Sequence, residues 1–362
     1  MNIMRLFLFI HPFLLLFISA NAYCYLNVEI NKESGRIYMQ DESCELIIYH
    51  LSKLINNEDA SNTLKKTCSS FNDKKSVKES GKLIYQIDLT NLLSKDIREL
   101  LLENNDPRRS LNCWNAVLYF NKIIKSIHYT DGEEFSYIIN SPLCKELDAN
   151  KEPLDPLLPG DIGVVAYQSG RKIEQQHAFI YLNDDFVFQK DGPEGKWELT
   201  DIVGALLGYK SKVAGAISGA REKQKKDEKK LDMKKVSEIN RDTLNKYRVQ
   251  SLFNFYRCIS LDEYLKTKKP SKEAMTLLET IEKEECALNK LAKTNMLNEH
   301  SIKQIQKILT IVNAIIEKFS ENQNKLKEDD KLIYEMILKR ITSMNLELEA
   351  VAKSATIKEN KN

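Results

Sequence analysis

Three residues of types that can do acyl-transfer chemistry stand in contexts that could bring them together: Cys113, His177 and Gln189. Cys113 lies in the run Ser110-Leu111-Asn112-Cys113-Trp114-Asn115-Ala116-Val117, where Ser110 is suited to cap a helix. A thiol in the first turn of a helix feels the positive end of the macrodipole, which favours the nucleophilic thiolate. An inert buried thiol, or one half of a disulfide, is the competing reading. His177 follows the polar run Ser169–Gln176 and opens the strand-like segment His177-Ala178-Phe179-Ile180-Tyr181-Leu182. Its imidazole could take the thiol proton. Among the other histidines, His50 and His300 stand in helix-like or capping contexts, and His128 is the rival base. Gln189 comes twelve residues after His177, across the turn Asn183-Asp184-Asp185. In a hairpin that offset can set its side chain beside the imidazole. There it would accept from one ring nitrogen and leave the other to act as base. No Cys-x-x-Cys or His-x-x-x-His spacing suggests a metal site. The chemistry needs no cofactor.

The elements that must position these residues are legible in outline. Asp106-Pro107 breaks what precedes, and a helix is expected from about Leu111 to Ile127. After a loop and the turn Pro159-Gly160, alternation predicts strands at Ile162–Tyr167, His177–Leu182, Phe186–Gln189 and Lys196–Leu199. The order is therefore a helix followed by an antiparallel meander. His177, Phe179 and Tyr181 should share one face, and Ala178, Ile180 and Leu182 the other. Tyr247–Cys258 has strand character and could return to the same sheet.

Residues 106–199 resemble the papain-like NlpC family of bacterial cell-wall endopeptidases and their relatives, the CHAP amidases. The resemblance lies in a cysteine at a helix start, then Leu158-Pro159-Gly160-Asp161-Ile162, then His177-Ala178-Phe179-Ile180-Tyr181-Leu182-Asn183-Asp184-Asp185. It implies an α+β fold with the nucleophile helix packed on an antiparallel sheet. It also implies Cys113 as nucleophile, His177 as base and Gln189 as the third polar residue. The substrate it implies is a peptide or isopeptide bond of peptidoglycan. The family commonly has Asp-Cys-Ser-Gly at the nucleophile, whereas this chain has Asn112-Cys113-Trp114-Asn115. The much larger Trp114 bears on the substrate pocket. A Cys-Trp pair with a later strand histidine also occurs in transglutaminase-like acyl transferases and deamidases. Those use an aspartate as third residue, for which Asp184, Asp185 and Asp191 are available.

The rest of the chain sets the context. Met1–Arg5, the apolar run Leu6–Ser19 and Ala20-Asn21-Ala22 have the layout of a secretory signal peptide, residues 1–22, rather than of a stable membrane anchor. Export to a periplasm or beyond is the expectation. The seven cysteines are then read for an oxidising compartment, with Cys113 left free and Cys44–Cys68 as the expected pair. Balanced charge, 54 basic against 52 acidic side chains, gives no whole-chain argument for nucleic acid. Residues 23–105 read as a flanking α/β segment, 106–220 as the hydrolase domain, and 221–270 as a charged linker with a returning strand. Residues 271–362 read as a helical hairpin or bundle, with apolar stripes through Leu278 and Ile281 and through Ile333, Ile337, Ile341 and Met344. Those stripes could dock a protein partner. The non-enzymatic alternative makes this half a cell-wall adaptor and the hydrolase domain its scaffold.

Overall fold

The computed structural model describes residues 27–41, 77–79, 82–91, 93–102, 112–125, 129–147, 154–169, 172–192, 195–207, 212–228, 233–248, 253–294 and 327–359, with isolated positions between 303 and 317. The signal-peptide segment, Cys44 and Cys68, the Ser110 cap, the capping box at Ser301 and Gln304, and His50, His128 and His300 lie outside the described residues.

The protein is α+β. Strands β1 (Asn27–Asn31), β2 (Arg36–Asp41), β3 (Val77–Glu79) and β4 (Lys82–Asp88) form a four-stranded antiparallel sheet in the order β1-β2-β4-β3. Helix α1 (Lys95–Leu102) follows. The main sheet has six strands: β5 (Cys144–Glu146), β6 (Ile162–Ser169), β7 (Lys172–Tyr181), β8 (Phe186–Lys190), β9 (Trp197–Asp201) and β10 (Phe253–Cys258). Its order is β5-β10-β6-β7-β8-β9, and every neighbouring pair is antiparallel. The meander β6 to β9 runs as the alternation predicts. The returning strand β10 enters between β5 and β6.

Both faces of this sheet are covered, which is why its strands carry apolar residues on each side. On one face Ile162, Val164, Ala178, Ile180 and Phe188 pack with Ala116, Val117 and Leu118 of α2 (Cys113–Phe120) and with Phe135, Ile138 and Ile139 of α3 (Gly132–Ile139). On the other, Val165, Phe179, Tyr181, Val187, Phe253 and Phe255 pack with α4 (Ile202–Leu207), α5 (Lys212–Glu228) and α6 (Met233–Arg248) through Ile202, Leu206, Ile217 and Leu244.

The charged linker expected at 221–270 is instead largely helical and part of the fold. Its first residues continue α5, and a buried polar network adds to the apolar contacts of Ile217 and Leu244 in holding the two helices. The Arg221 guanidinium donates to Asp201 Oδ2 at 3.0 Å and to Asn240 Oδ1 at 3.1 Å. Asn240 Nδ2 donates to Asp185 Oδ1 at 2.9 Å, and the Ser237 hydroxyl to Asp185 Oδ2 at 2.6 Å.

The C-terminal half joins the same core. Helix α7 (Leu261–Thr267) leads to α8 (Lys272–Thr294) and α9 (Glu328–Glu359). Ala274, Leu278 and Ile281 of α8 meet Ile333, Ile337, Ile341 and Met344 of α9 in the cluster that also contains α2 and α3. The described stripes are thus spent on an internal seam and on α3. Ser343 Oγ lies 2.6 Å from Glu134 Oε2 and 3.1 Å from Asp131 Oδ2, and Lys339 pairs with Glu133 at 3.1 Å.

The Leu158–Ile162 motif is a structural knot. Gly160 has φ +100, a conformation that costs glycine little. The Gly160 N–H donates to the Tyr181 carbonyl and the Tyr181 N–H to the Asp161 carbonyl, each at 2.8 Å. The buried Asp161 carboxylate takes a bidentate bond from Arg257 of β10, with both contacts at 2.9 Å, and accepts the Leu158 N–H at 2.7 Å. The motif therefore pins the start of β6 to the end of β7 and to β10. One disulfide lies among the described residues: Cys144–Cys258, between partners in β5 and β10 that are 114 residues apart. Closing so long a loop in the unfolded chain contributes about 4–5 kcal/mol on the chain-entropy account.

Gly163 faces the Phe179 ring across the β6–β7 ladder, and a Cβ there would come within 2.4 Å of it. That ring is hemmed in by Phe253 and Phe255 at centroid separations of 5.8 and 6.3 Å. Gly163→Ala should therefore destabilise the fold by about 1–3 kcal/mol, read as a lower denaturant midpoint with an unchanged slope. An unaltered midpoint would mean that the ring moves freely.

Candidate active site

Helix α2 begins two residues later than the Ser110 cap would have it, because Asn112 is the cap. Its backbone is extended, with φ −92 and ψ −178, and its side chain accepts the Asn115 N–H at 3.0 Å. The same side chain donates through Nδ2 to the Thr130 carbonyl at 2.6 Å, and Asn115 Nδ2 donates to Thr130 Oγ1 at 3.2 Å. Two buried asparagines flanking Cys113 thus lock the helix start to the segment before α3. The helix ends at Phe120 rather than Ile127, since Lys122 adopts φ +57 and turns the chain away. Cys113 is consequently the first helical residue. Trp114 points elsewhere: its ring stacks on Phe135 at 5.9 Å and lies against Gly132. The bulky residue fills the α2–α3 junction, which accounts for its size at a position where the resembling family has serine.

His177 lies within β7, not at its start, and has no solvent exposure. The pairing Val165↔His177 followed by Ala166↔Gln175 leaves Gln176 as the extra residue of a β-bulge. From His177 onward the register is regular, so His177 shares the sheet face of Phe179. His177 Nε2 is 2.7 Å from Gln189 Oε1 on β8. Gln189, 3 % exposed, donates in turn from Nε2 to Glu198 Oε1 of β9 at 2.5 Å. Glu198 is the direct cross-strand partner of Gln189. Sequence reading did not single it out. The alternation of β9 opposite β8 was the available signal, but it required knowing the register.

The Cys113 thiol, 6 % exposed and unoxidised, abuts the backbone N–H of Ala178, the residue after His177. The structure thus brings Gln189 to His177 and sets Cys113 beside the backbone of the next residue, Ala178. Burial pushes the thiol up to about 11, against the N–H groups of Ala178, Trp114 and Cys113 itself, which favour the thiolate. The helix-terminus effect expected from sequence is present but outweighed, because desolvation of a small anion costs more than a few partial charges return. Burial likewise lowers the His177 imidazole, against the Gln189 bond and the Asp191 charge. The resting pair is thus neutral thiol and neutral imidazole. The Lys190 ammonium is buried beside them, with Nζ donating to the Gly192 carbonyl at 3.0 Å and to the Gly195 carbonyl. Burial lowers it, while Asp191, and Cys113 when ionised, hold it up. Burial also lifts the Glu198 carboxyl, and the Gln189 bond pulls it back.

Two of the three aspartates that an acyl transferase could use as third residue are engaged elsewhere, while the charge of Asp191 bears on both Cys113 and His177. Asp184 accepts the Tyr181 hydroxyl at 2.7 Å, and Asp185 belongs to the Ser237–Asn240 network. Among the described residues no group of three His, Cys, Asp or Glu side chains could hold a metal ion, and no helix is long and apolar enough to cross a membrane.

No family model matches the chain, and no curated protein or solved structure matches it either. The functional reading therefore stands on the geometry and on the residues that resemble the NlpC pattern.

A neutral resting thiol makes a kinetic prediction. Alkylation of Cys113 by iodoacetamide, followed by peptide mass spectrometry, should be slow at pH 7 and accelerate through the alkaline range with an apparent pKa near 11. A rate that levels off below pH 8 would mean a preformed thiolate–imidazolium pair instead.

Proposed function

We propose that the protein is an exported cysteine hydrolase of papain-like architecture that cleaves an amide bond through a Cys113 thioester, with His177 as general base. The observation that carries this reading is the buried His177–Gln189 bond at 2.7 Å, on strands that pack against the helix headed by Cys113. A fully buried imidazole bonded at one nitrogen by a neutral amide is held in orientation without being charged, as a base must be.

The resting neutral pair makes proton transfer part of the attack. Sγ adds to the substrate carbonyl as His177 takes its proton, giving a tetrahedral intermediate and an imidazolium. The N–H groups at the start of α2, Cys113 first among them, are the donors for the oxyanion. The imidazolium then protonates the leaving amine, and the thioester remains. Water, activated by the same imidazole, releases the acid and restores the thiol.

The resemblance supplies the substrate class, peptide or isopeptide bonds in peptidoglycan stem peptides. The layout of residues 1–22 supports export, and the Cys144–Cys258 disulfide accords with an oxidising compartment. The engagement of Asp184 and Asp185 elsewhere, with Gln189 at the imidazole, favours hydrolysis over transglutaminase-like transfer.

Purified sacculi incubated with the full chain should release muropeptides carrying new amino termini, detected by mass spectrometry. Cys113→Ala should abolish release while leaving the thermal midpoint near that of the parent. His177→Ala should lower the rate by about 10²–10⁴-fold, and Gln189→Ala by less. Turnover surviving in Cys113→Ala would remove the nucleophile assignment. Ammonia release from glutamine peptides without muropeptide cleavage would point to a deamidase.

A further inference from the structure

We infer that Glu198 is a positioning residue: by fixing which way the Gln189 amide faces, it sets the tautomer of His177 and so decides which ring nitrogen is the base. The inference rests on the hydrolase reading for its catalytic consequence, but not for the tautomer itself.

Glu198 on β9 stands directly opposite Gln189 on β8, and the hairpin offset from His177 on β7 sets Gln189 against the imidazole. An ionised carboxylate has only acceptors, so of the two ends of the Gln189 amide it can receive only the NH₂. The Nε2–Oε1 contact of 2.5 Å is that bond. The amide then has only its oxygen to offer His177. A carbonyl oxygen also only accepts, so the ring nitrogen 2.7 Å away, Nε2, must carry the proton. The lone pair is left on Nδ1. One carboxylate thereby propagates a direction through two neutral groups.

Without that carboxylate the direction is lost. A primary amide can turn over about its terminal torsion with little change in shape. Flipped, Gln189 would present NH₂ to Nε2, and the imidazole would answer by accepting there and carrying its proton on Nδ1. That tautomer has no lone pair on Nδ1. Glutamine is symmetric enough in shape to need an external reference, and Glu198 is that reference. It sits at the partly exposed edge of the chain, so Glu198→Gln is close to isosteric and removes the acceptor-only character while keeping the size.

The test uses the full chain labelled with ¹⁵N-histidine, with the His177 signals assigned by their loss in His177→Ala. Long-range ¹H–¹⁵N correlation at pH 8 should show Nε2 protonated and Nδ1 bare in the parent. In Glu198→Gln the pattern should become a mixture of tautomers. The rate of muropeptide release should fall about tenfold in kcat with KM unchanged. A parent tautomer protonated on Nδ1 would overturn the inference, even if Glu198→Gln failed to fold. So would an unchanged single tautomer in a folded Glu198→Gln. The two readings fail separately. A tautomer shift in a protein whose Cys113 cleaves nothing would sink the hydrolase and keep the role of Glu198. Full turnover with an unmoved tautomer would do the reverse.

Discussion

A histidine sealed inside a sheet is a liability unless a partner holds it, because an unmet ring nitrogen there forfeits the hydrogen bond that water would have made. The bond that His177 Nε2 donates to the Gln189 carbonyl oxygen meets that requirement at this nitrogen, and much else follows from making it possible. It needs β7 and β8 in one register, which Ile180↔Phe188 and Tyr181↔Val187 set. It needs β9 beside β8, so that the amide has something to give its hydrogens to. The two bonds link His177, Gln189 and Glu198 from one strand to the next.

The cysteine is held by a different device. Asn112 and Asn115 place it at the first position of α2 by bonding each other and Thr130, so its location depends on side-chain caps more than on helix propensity. Apolar burial around it suppresses the anion that the helix terminus would encourage. On the opposite face of the sheet, the network through Arg221, Asp201, Asn240, Asp185 and Ser237 fastens α5 and α6. Losing one member would strand a buried charge, an expensive change. The two networks sit on different sides of the meander and share no residue.

Strand alternation in Ile162–Tyr167, His177–Leu182 and Phe186–Gln189 was legible because both sheet faces are apolar and the turns between them are marked. Gln189 was legible for the same reason: a short hairpin converts a sequence offset into a spatial one. The helix bounds around Cys113 were not, since Ser110 and Asn112 are both competent caps and only the contact with Thr130 distinguishes them. The run from Arg221 reads as a solvated linker because its first turns are dense in charge, and part of its burial is carried by guanidinium and amide groups. The pairing of Cys144 with Cys258 depended on β10 lying beside β5, a long-range fact that no local pattern encodes. Glu198 was hidden likewise, one exposed acid among many until the register singles it out.

The place of β10 has a bearing on how this chain is made. It lies between β5 and β6, yet it is synthesised after the whole of the β6–β9 meander and after α4, α5 and α6. Until residues 253–258 leave the ribosome, the backbone donors and acceptors along β6 that β10 will pair with have no strand beside them, and Asp161 has yet to meet Arg257. A nascent or truncated chain ending before that point carries an open strand edge next to the segment bearing His177, a surface prone to pairing with another copy. Insertion of that late strand closes the edge, pairs the carboxylate at the base of β6 with Arg257 and brings Cys258 beside Cys144, so sheet completion is what makes the disulfide geometrically possible.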